Sequence, residues 1–274
     1  VPAILSTRRI ETRSDRLVTI AVLPMMSCAG RLPIYMMFVS ALFPSRLQAP
    51  VLFGIYASGV LLALCCARLL KNTLFKAPQR DSLHHMKRLR LPSLRKVGIL
   101  MWSRAFMYVR KAGTFILGAS IILWFLNTYP RPEEDTAPTN AAAMEHSYAG
   151  QIGHWMEPVT QVAGFDWKIN SALVGAFAAK EIFVTQMGIL YAVEDGNSGP
   201  AAQQTLNARL KASYTPLQGI SIMIFCLIAL PCIGTVTVAK REAGTWWFAL
   251  AQFGGLTLLG FATATLIYQA GLLL

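Results

Sequence analysis

Charge is scarce in this chain. Only 14% of its 274 residues are Asp, Glu, Lys or Arg, against about 25% in soluble domains. Acids are scarcer still: 13 face 25 basic residues, for a formal net charge of +12. With 54% hydrophobic residues and a mean hydropathy of +0.47, this balance excludes a soluble globular domain. It fits an all-α integral membrane protein, whose spans must pair their own backbone groups in lipid.

Cysteine is rare too. Cys28, Cys65, Cys66, Cys226 and Cys232 all lie in apolar runs, and none forms a C-x-x-C pair. That excludes a disulfide scaffold and a structural zinc site. Cys65, Cys66 and Cys226 are expected to be inert small hydrophobes. No G-x-x-x-x-G-K-[ST] occurs, so the chain has no P-loop nucleotide site of its own, and no H-E-x-x-H marks a metalloprotease. Ser27 has no His in reach for a catalytic triad. We expect no enzyme and no bound cofactor. The excess of base lies in segments beside apolar spans, which is the pattern of membrane topology; no basic patch interleaved with aromatics suggests nucleic acid. An initiator Met and a signal-peptide pattern are missing. The opening Val1-Pro2-Ala3-Ile4 reads as mid-motif, so a fragment of a longer protein is expected.

The most informative feature present is the apolar stretch Leu17–Phe43. It is long enough to cross a bilayer, yet Pro24, Gly30 and Pro33 interrupt it, with Cys28 and Arg31 at the interruption. A helix broken at membrane depth is tolerated only where protein or a water-filled cavity satisfies the freed backbone groups. A second such span is Ile220–Ala239, with Leu230-Pro231-Cys232-Ile233-Gly234-Thr235 at its centre. Matched breaks in two halves of one membrane chain point to a transport site.

Between these spans, Val51–Leu70 reads as a plain transmembrane helix after a turn at Pro44–Pro50. Lys71–Lys96 carries eight basic residues against Asp81 and is placed in the cytoplasm. Val97–Lys111 reads as an interfacial amphipathic helix, and Ala112–Tyr129 as a crossing. The acidic segment Pro130–Lys168 is placed outside, with a surface helix near Met144–Glu157. Asn170–Tyr191 is apolar with Lys180-Glu181 at its centre. If it spans fully, Lys240-Arg241 falls outside, against the charge rule. If it is a re-entrant hairpin, they return inside. Lys240-Arg241-Glu242 reads as a charged turn before the last helix, Trp246–Leu274.

Four groups of residues carry candidate chemistry. Cys28 and Cys232 sit at matched breaks, and thiolates suit soft and borderline metals; the alternative is that both are small packers. An intramembrane Glu181 is a functional hypothesis by default, as ion ligand or proton acceptor, with Lys180 as partner or gating counter-ion; the alternative is an ion pair bracing the segment. Arg31 reads as a cap for orphan carbonyls at a half-helix end. Glu145, His146, His154 and Glu157 read as a solvated surface rather than an external metal site.

The motifs Val1-Pro2-Ala3-Ile4, Asp15-Arg16-Leu17, Pro24-Met25-Met26-Ser27-Cys28 and Arg31-Leu32-Pro33 resemble the first Gate motif of the bacterial ferrous iron transporter (FeoB) family. Gly175-Ala176-Phe177-Ala178-Ala179-Lys180-Glu181 with Gly188-Ile189-Leu190-Tyr191 is similar to the second. Pro231-Cys232-Ile233-Gly234-Thr235 with Lys240-Arg241-Glu242 resembles the close of that repeat. The resemblance covers nearly the whole chain. It implies two Gate half-repeats: residues 1–48 end the first, 49–165 form a central segment, and 166–274 hold the second and the last helix. It implies inward movement of Fe2+ across the bacterial inner membrane, with Cys28, Cys232 and Glu181 as candidate ion ligands and Lys180 and Arg31 as gating or charge partners. It further implies a GTPase domain using GTP and Mg2+ upstream, a small FeoA-like cytoplasmic partner and self-association. The family places a Gly-Cys pair just before the first Val-Pro-Ala. Departures from the pattern are Gln186, where Thr is expected, and Leu230, where an aromatic is common. Two rivals remain: an organic-solute permease of nucleoside type, and a membrane anchor for a GTPase.

Overall fold

Broken helices and a hairpin of half-length helices organise this structure. The computed structural model describes residues 2–10, 12–73, 93–130, 145–192 and 200–273. Most of the basic segment Lys71–Lys96 and the first part of the acidic segment Pro130–Lys168 lie outside the described residues. Four described segments are long and apolar enough to cross a membrane: Arg13–Leu42, Ser45–Thr73, Pro216–Ala243 and Trp246–Leu273.

The chain opens with α1 (Pro2–Ser6) and α2 (Arg13–Val22). A 3-10 turn at Leu23–Met25 then ends the helical run, because Pro24 lacks the N–H that would continue it. Cys28 is extended, a second 3-10 turn covers Ala29–Arg31, and α3 (Leu32–Leu42) resumes with Pro33 in its first turn. The first span is thus two half-helices around an irregular centre. After it comes the long α4 (Ser45–Thr73).

The same order recurs near the C-terminus. Helix α10 (Pro216–Ile228) opens on a capping box between Thr215 and Gln218 and stops at Ala229. Leu230 takes a left-handed conformation (φ 53°), unusual for a branched side chain and a mark of imposed geometry. Helix α11 (Ile233–Ala243) then starts from an extended Cys232, and Gly244 at φ 84° turns the chain into α12 (Trp246–Leu273).

Helix α5 (Leu94–Thr128) is continuous over 35 residues. The expected interfacial helix and the following crossing are therefore one rod, roughly 50 Å long at 1.5 Å per residue. That exceeds the hydrocarbon core of about 30 Å, so a bilayer could not cover the whole of it. The expected turn at Pro44–Pro50 is corrected as well: α4 already begins at Ser45, with Pro50 inside it. Pro50 lies in the second turn of α4, where its missing N–H forgoes the helical bond to the Arg46 carbonyl without ending the helix. Lys240-Arg241-Glu242 is not a turn but the last turn of α11, where basic residues suit the negative helix end. The surface helix foreseen near Met144–Glu157 is α6 (Tyr148–Thr160), capped by Ser147.

Asn170–Tyr191 is a hairpin. Helices α7 (Trp167–Ala178) and α8 (Lys180–Ala192) meet at an extended Ala179. They fold back on each other: Gln186 Nε2 donates to Ser171 Oγ at 3.3 Å, and the Lys168 ammonium lies 4.6 Å from the Tyr191 ring centroid. This puts both open ends on one side and Lys180 at the tip. Arg8 and Glu242 pair at 2.6 Å, and Lys71 and Asp15 at 3.0 Å. Lys240-Arg241 therefore returns to the side of the first basic residues, in agreement with the charge rule.

A polar strap closes the open end of the hairpin. Tyr191 donates to Tyr214 Oη at 3.0 Å, and Tyr214 donates to Asp166 Oδ2 at 2.8 Å. Asp166 Oδ1 accepts from the Ile169 amide at 2.9 Å as the cap of α7. Arg209 of α9 (Pro200–Ser213) donates to the Tyr191 carbonyl at 2.7 Å. Burial pushes the Asp166 carboxyl above its ordinary value of 3.8, against the pull of the Ile169 amide, Tyr214 and Lys168. A raised carboxyl favours the fold while protonated, so that contribution is present below 3.8 and fades as pH rises through the raised value. Asp166→Asn keeps the cap and should remove this pH dependence. Thermal melts of both proteins from acid to neutral pH check it; an unchanged profile sinks the assignment.

The core surrounds α3. Ile34, Tyr35 and Phe38 are wholly buried, against Phe183 of α8 and Ile222 and Leu227 of α10. Phe53, Leu61, Trp102, Trp247 and Leu266 face outward, as lipid-facing positions do.

Candidate functional site

The tip of the hairpin lies between the two helix breaks. Helix α10 ends at Ile228, leaving its last carbonyls without helical partners. The Lys180 ammonium fills that need: it donates to the carbonyls of Cys226 and Ala229, both at 3.1 Å. Lys180 is buried. A cation at a helix C-terminus also meets the negative end of the macrodipole. Lys180 is therefore a cap on the second break and not the partner of Glu181. The ion-pair reading of Lys180-Glu181 is corrected on this geometry, for adjacent residues on a helix point about 100° apart.

Glu181 faces the other break. A Cβ built on Gly30 would lie 3.1 Å from Glu181 Oε1 and 3.8 Å from Lys180 Cβ. Gly30 thus gives the room that lets the first break touch the hairpin tip. The Glu181 carboxylate is exposed, and no cation pairs with it among the described residues.

Cys28 is exposed and Cys232 half-buried; both thiols are free, as are those of Cys65, Cys66 and Cys226. Each is the extended residue before a helical turn, Cys28 before the 3-10 turn Ala29–Arg31 and Cys232 before α11. Cys232 Sγ lies 3.2 Å from Thr235 Oγ1. Both thiols are in electrostatic range of the Lys180 ammonium, as is Arg31. Hence the hairpin tip brings Cys28, Arg31, Lys180 and Cys232 into one neighbourhood, with Glu181 beside Gly30.

Arg31 is buried, and its Nη1 donates to the Met26 carbonyl at 3.3 Å. That is the carbonyl-capping role its place in the break suggested. Sequence reasoning missed the Cys226 and Ala229 carbonyls, because they lie 46 and 49 residues from Lys180 and no side-chain pattern announces them. It also missed Gly260 of α12. A Cβ there would lie 2.7 Å from Ala229 Cβ and 3.1 Å from Ala229 N, so only glycine lets α12 support the second break this closely.

The polar residues of the hairpin are committed elsewhere. Gln186 exchanges two hydrogen bonds with Asn127 at 2.9 and 3.0 Å. Asn170 donates to the Gly153 carbonyl and Thr160 Oγ1 at 3.2 and 2.7 Å. On α6, His154 lies 3.2 Å from Glu157 and 3.7 Å from Glu145 and stacks on Trp167. Among the described residues no group of three or more His, Cys, Asp or Glu comes together for a metal ion. A transported ion, unlike a resident one, does not require such a cage.

Comparison with known proteins places this arrangement. The family model "Gate: Nucleoside recognition" matches residues 109–246, just over half of the chain, and "Ferrous iron transport protein B C terminus" matches 52–104. The chain is 36% identical to an Fe(2+) transporter FeoB of Campylobacter jejuni, over 92% of this chain and 41% of that protein. It is 35% identical to the FeoB of Methanocaldococcus jannaschii, over 100% of this chain and 40% of that one. A protein of Porphyromonas gingivalis named as a fusion of Fe(2+) transport protein A and FeoB is 35% identical, over 100% of this chain and 36% of its own length. The chain thus spans about two-fifths of the curated relatives it matches. No solved structure matches it. The chain belongs to the Gate family, as the C-terminal membrane region of the FeoB type.

Proposed function

We propose that this chain is the permease part of a ferrous iron uptake transporter in the bacterial inner membrane. The observation that carries the reading is the hairpin tip between two thiol-bearing breaks, with Lys180 on the Ala229 carbonyl and Glu181 against Gly30. Fe2+ is the cargo. Cys28, Cys232 and Glu181 are its ligands in passing, a soft-and-hard donor mixture suited to a borderline ion. The chain performs no covalent chemistry of its own. GTP and Mg2+ belong to a GTPase domain of the parent protein, and a small FeoA-like protein and further copies of the chain are its partners. The fused relative supports the FeoA assignment.

The family description leaves nucleoside transport as the second reading. A nucleoside needs several free hydrogen-bonding side chains at the midplane. Here Gln186 and Thr185 are already bonded within the protein; among the described residues the neutral groups left without partners there are few, Ser27 and Tyr35 at the first break and Asn170 Oδ1 on the hairpin, which favours the ion. The anchor reading gives no use to matched breaks.

The test is uptake of radioactive iron by cells carrying the full-length protein. Cys28→Ser and Cys232→Ser should each lower Fe2+ uptake about tenfold or more, as losses around a metal's ligands do, with expression unchanged. Nucleosides in excess should not compete. Normal uptake in the Cys28→Ser, Cys232→Ser double variant overturns the thiol assignment; competition by uridine overturns the ion reading.

A further inference from the structure

The helix breaks hold two buried cations and no paired acid. Arg31 is 2% exposed and Lys180 6% exposed, and each is in electrostatic range of the other. Among the described residues, neither has a carboxylate at ion-pair distance. Lys180 is served by its two carbonyls. Arg31 is not: a guanidinium carries five N–H donors and stays charged, yet among the described residues its only hydrogen bond is the 3.3 Å contact to Met26, and its buried Nε has no partner.

Two hydroxyls share this condition. The Tyr35 ring is wholly buried with Ser27 beside it; the two hydroxyls are near enough to interact with each other, and neither Oη nor Oγ has another partner among the described residues. Arg31 and Cys226 are in electrostatic range of the same Tyr35 hydroxyl. Unpaired buried polar groups in one native site call for an explanation. All of these can donate, and the guanidinium can do nothing else.

The backbone contributes both signs. Helices α3 and α11 start at the breaks with no side-chain cap, and a helix N-terminus favours anions. Helices α2 and α10 end at the same breaks, with Lys180 on the carbonyls of α10. The excess positive charge is therefore that of the two side chains, where a divalent cation is to pass.

We propose that Arg31, Tyr35 and Ser27, with Lys180 near by, form a site for a small monovalent anion of the chloride class. The anion accepts from Arg31 Nε, Tyr35 Oη and Ser27 Oγ. It supplies the counter-charge that two buried cations otherwise lack, and it offsets their repulsion of a passing metal ion. Glu181 does not fill this role, since its carboxylate is exposed and pairs with neither cation.

The experiment is retention of radioactive chloride by the full-length protein in nanodiscs, at constant ionic strength with gluconate as the replacement anion. Saturable binding, displaced by bromide, is expected. Arg31→Met should weaken it about tenfold or more, the loss typical of a charged hydrogen bond. Ser27→Ala with Tyr35→Phe should weaken it about threefold or more while the charges remain, and this variant decides the matter if Arg31→Met fails to fold. Absence of retention, or equal retention in wild type and the Ser27→Ala, Tyr35→Phe variant, overturns the site. Chloride binding that appears only in Glu181→Gln also overturns it, because the carboxylate would then be the counter-ion. Iron uptake is read separately, so failure of the transport reading leaves the chloride result standing on its own.

Discussion

Glu181→Gln is expected to lower Fe2+ uptake about tenfold or more, in line with lost metal-site groups, without a change in thermal stability. The reason is geometric. The carboxylate is exposed beside Gly30 and neutralises no cation among the described residues, so removing its charge leaves nothing newly unpaired. Lys180→Met should behave in the opposite way. It strips the donor from the Cys226 and Ala229 carbonyls, and each buried group left unpaired costs about 1–3 kcal/mol. Stability should fall together with uptake. Because the two side chains have different partners, the double variant should show both losses. An ion pair would give the reverse, since removing both members of a buried pair is often neutral. Thermal melts and uptake on the three variants separate these outcomes. Recovery of either readout in the double variant would refute the separate roles.

The second large effect is expected at Gly260. Adding one carbon there places it 2.7 Å from Ala229 Cβ and 3.3 Å from Ala229 Cα. Backbone, unlike a flexible side-chain end, cannot swing away. Ala229 is also the residue whose carbonyl receives Lys180, so any shift reaches the hairpin tip. Gly260→Ala should cost about 1–3 kcal/mol, the usual range for overpacking, and Gly260→Val more. Gly255 lies on the same helix with nothing within 4 Å of an added Cβ. Gly255→Ala should leave both stability and uptake intact. Equal melting temperatures for the Gly255→Ala and Gly260→Ala variants would show that the close approach is unimportant.

Local chemistry made part of this architecture legible beforehand. Pro24, Pro33 and Pro231 cluster with Gly30, Cys28 and Cys232 in the middle of apolar runs, where a missing N–H disfavours a continuous helix, so the breaks could be read from the sequence. The hairpin was legible as one of two readings of Asn170–Tyr191, the one that returns Lys240-Arg241 to the inside. What escaped was non-local. The partners of Lys180 are carbonyls, and every residue has one, so no pattern singles out Cys226 or Ala229. Cys226 was expected to be inert, and its thiol is buried, yet its backbone oxygen helps hold the tip. The length of α5 escaped for a different reason. Arg104, Arg110 and Lys111 interrupt its apolar run and suggest two segments, but charge limits where a helix meets lipid, not where it ends. Pro50 misled similarly: it sits inside α4 without breaking it. For the candidate site, the thiols, Glu181 and Arg31 were visible as residues, and the two thiols as a joint site; the hairpin tip that stands between the breaks was not.

The pair between Arg8 and Glu242 has a mechanical consequence. The Arg8 guanidinium grips the carboxylate with both Nε and Nη2, at 2.6 to 3.0 Å. Glu242 is the penultimate residue of α11, and Cys232 precedes the first. A rigid rod of roughly 15 Å, at 1.5 Å per residue, thus runs from the clasp to the second thiol. Force applied to the segment before α2 is not absorbed in a loop. It reaches one end of a lever whose other end carries a sulfur, through a two-pronged clasp whose Arg8 side is half-exposed.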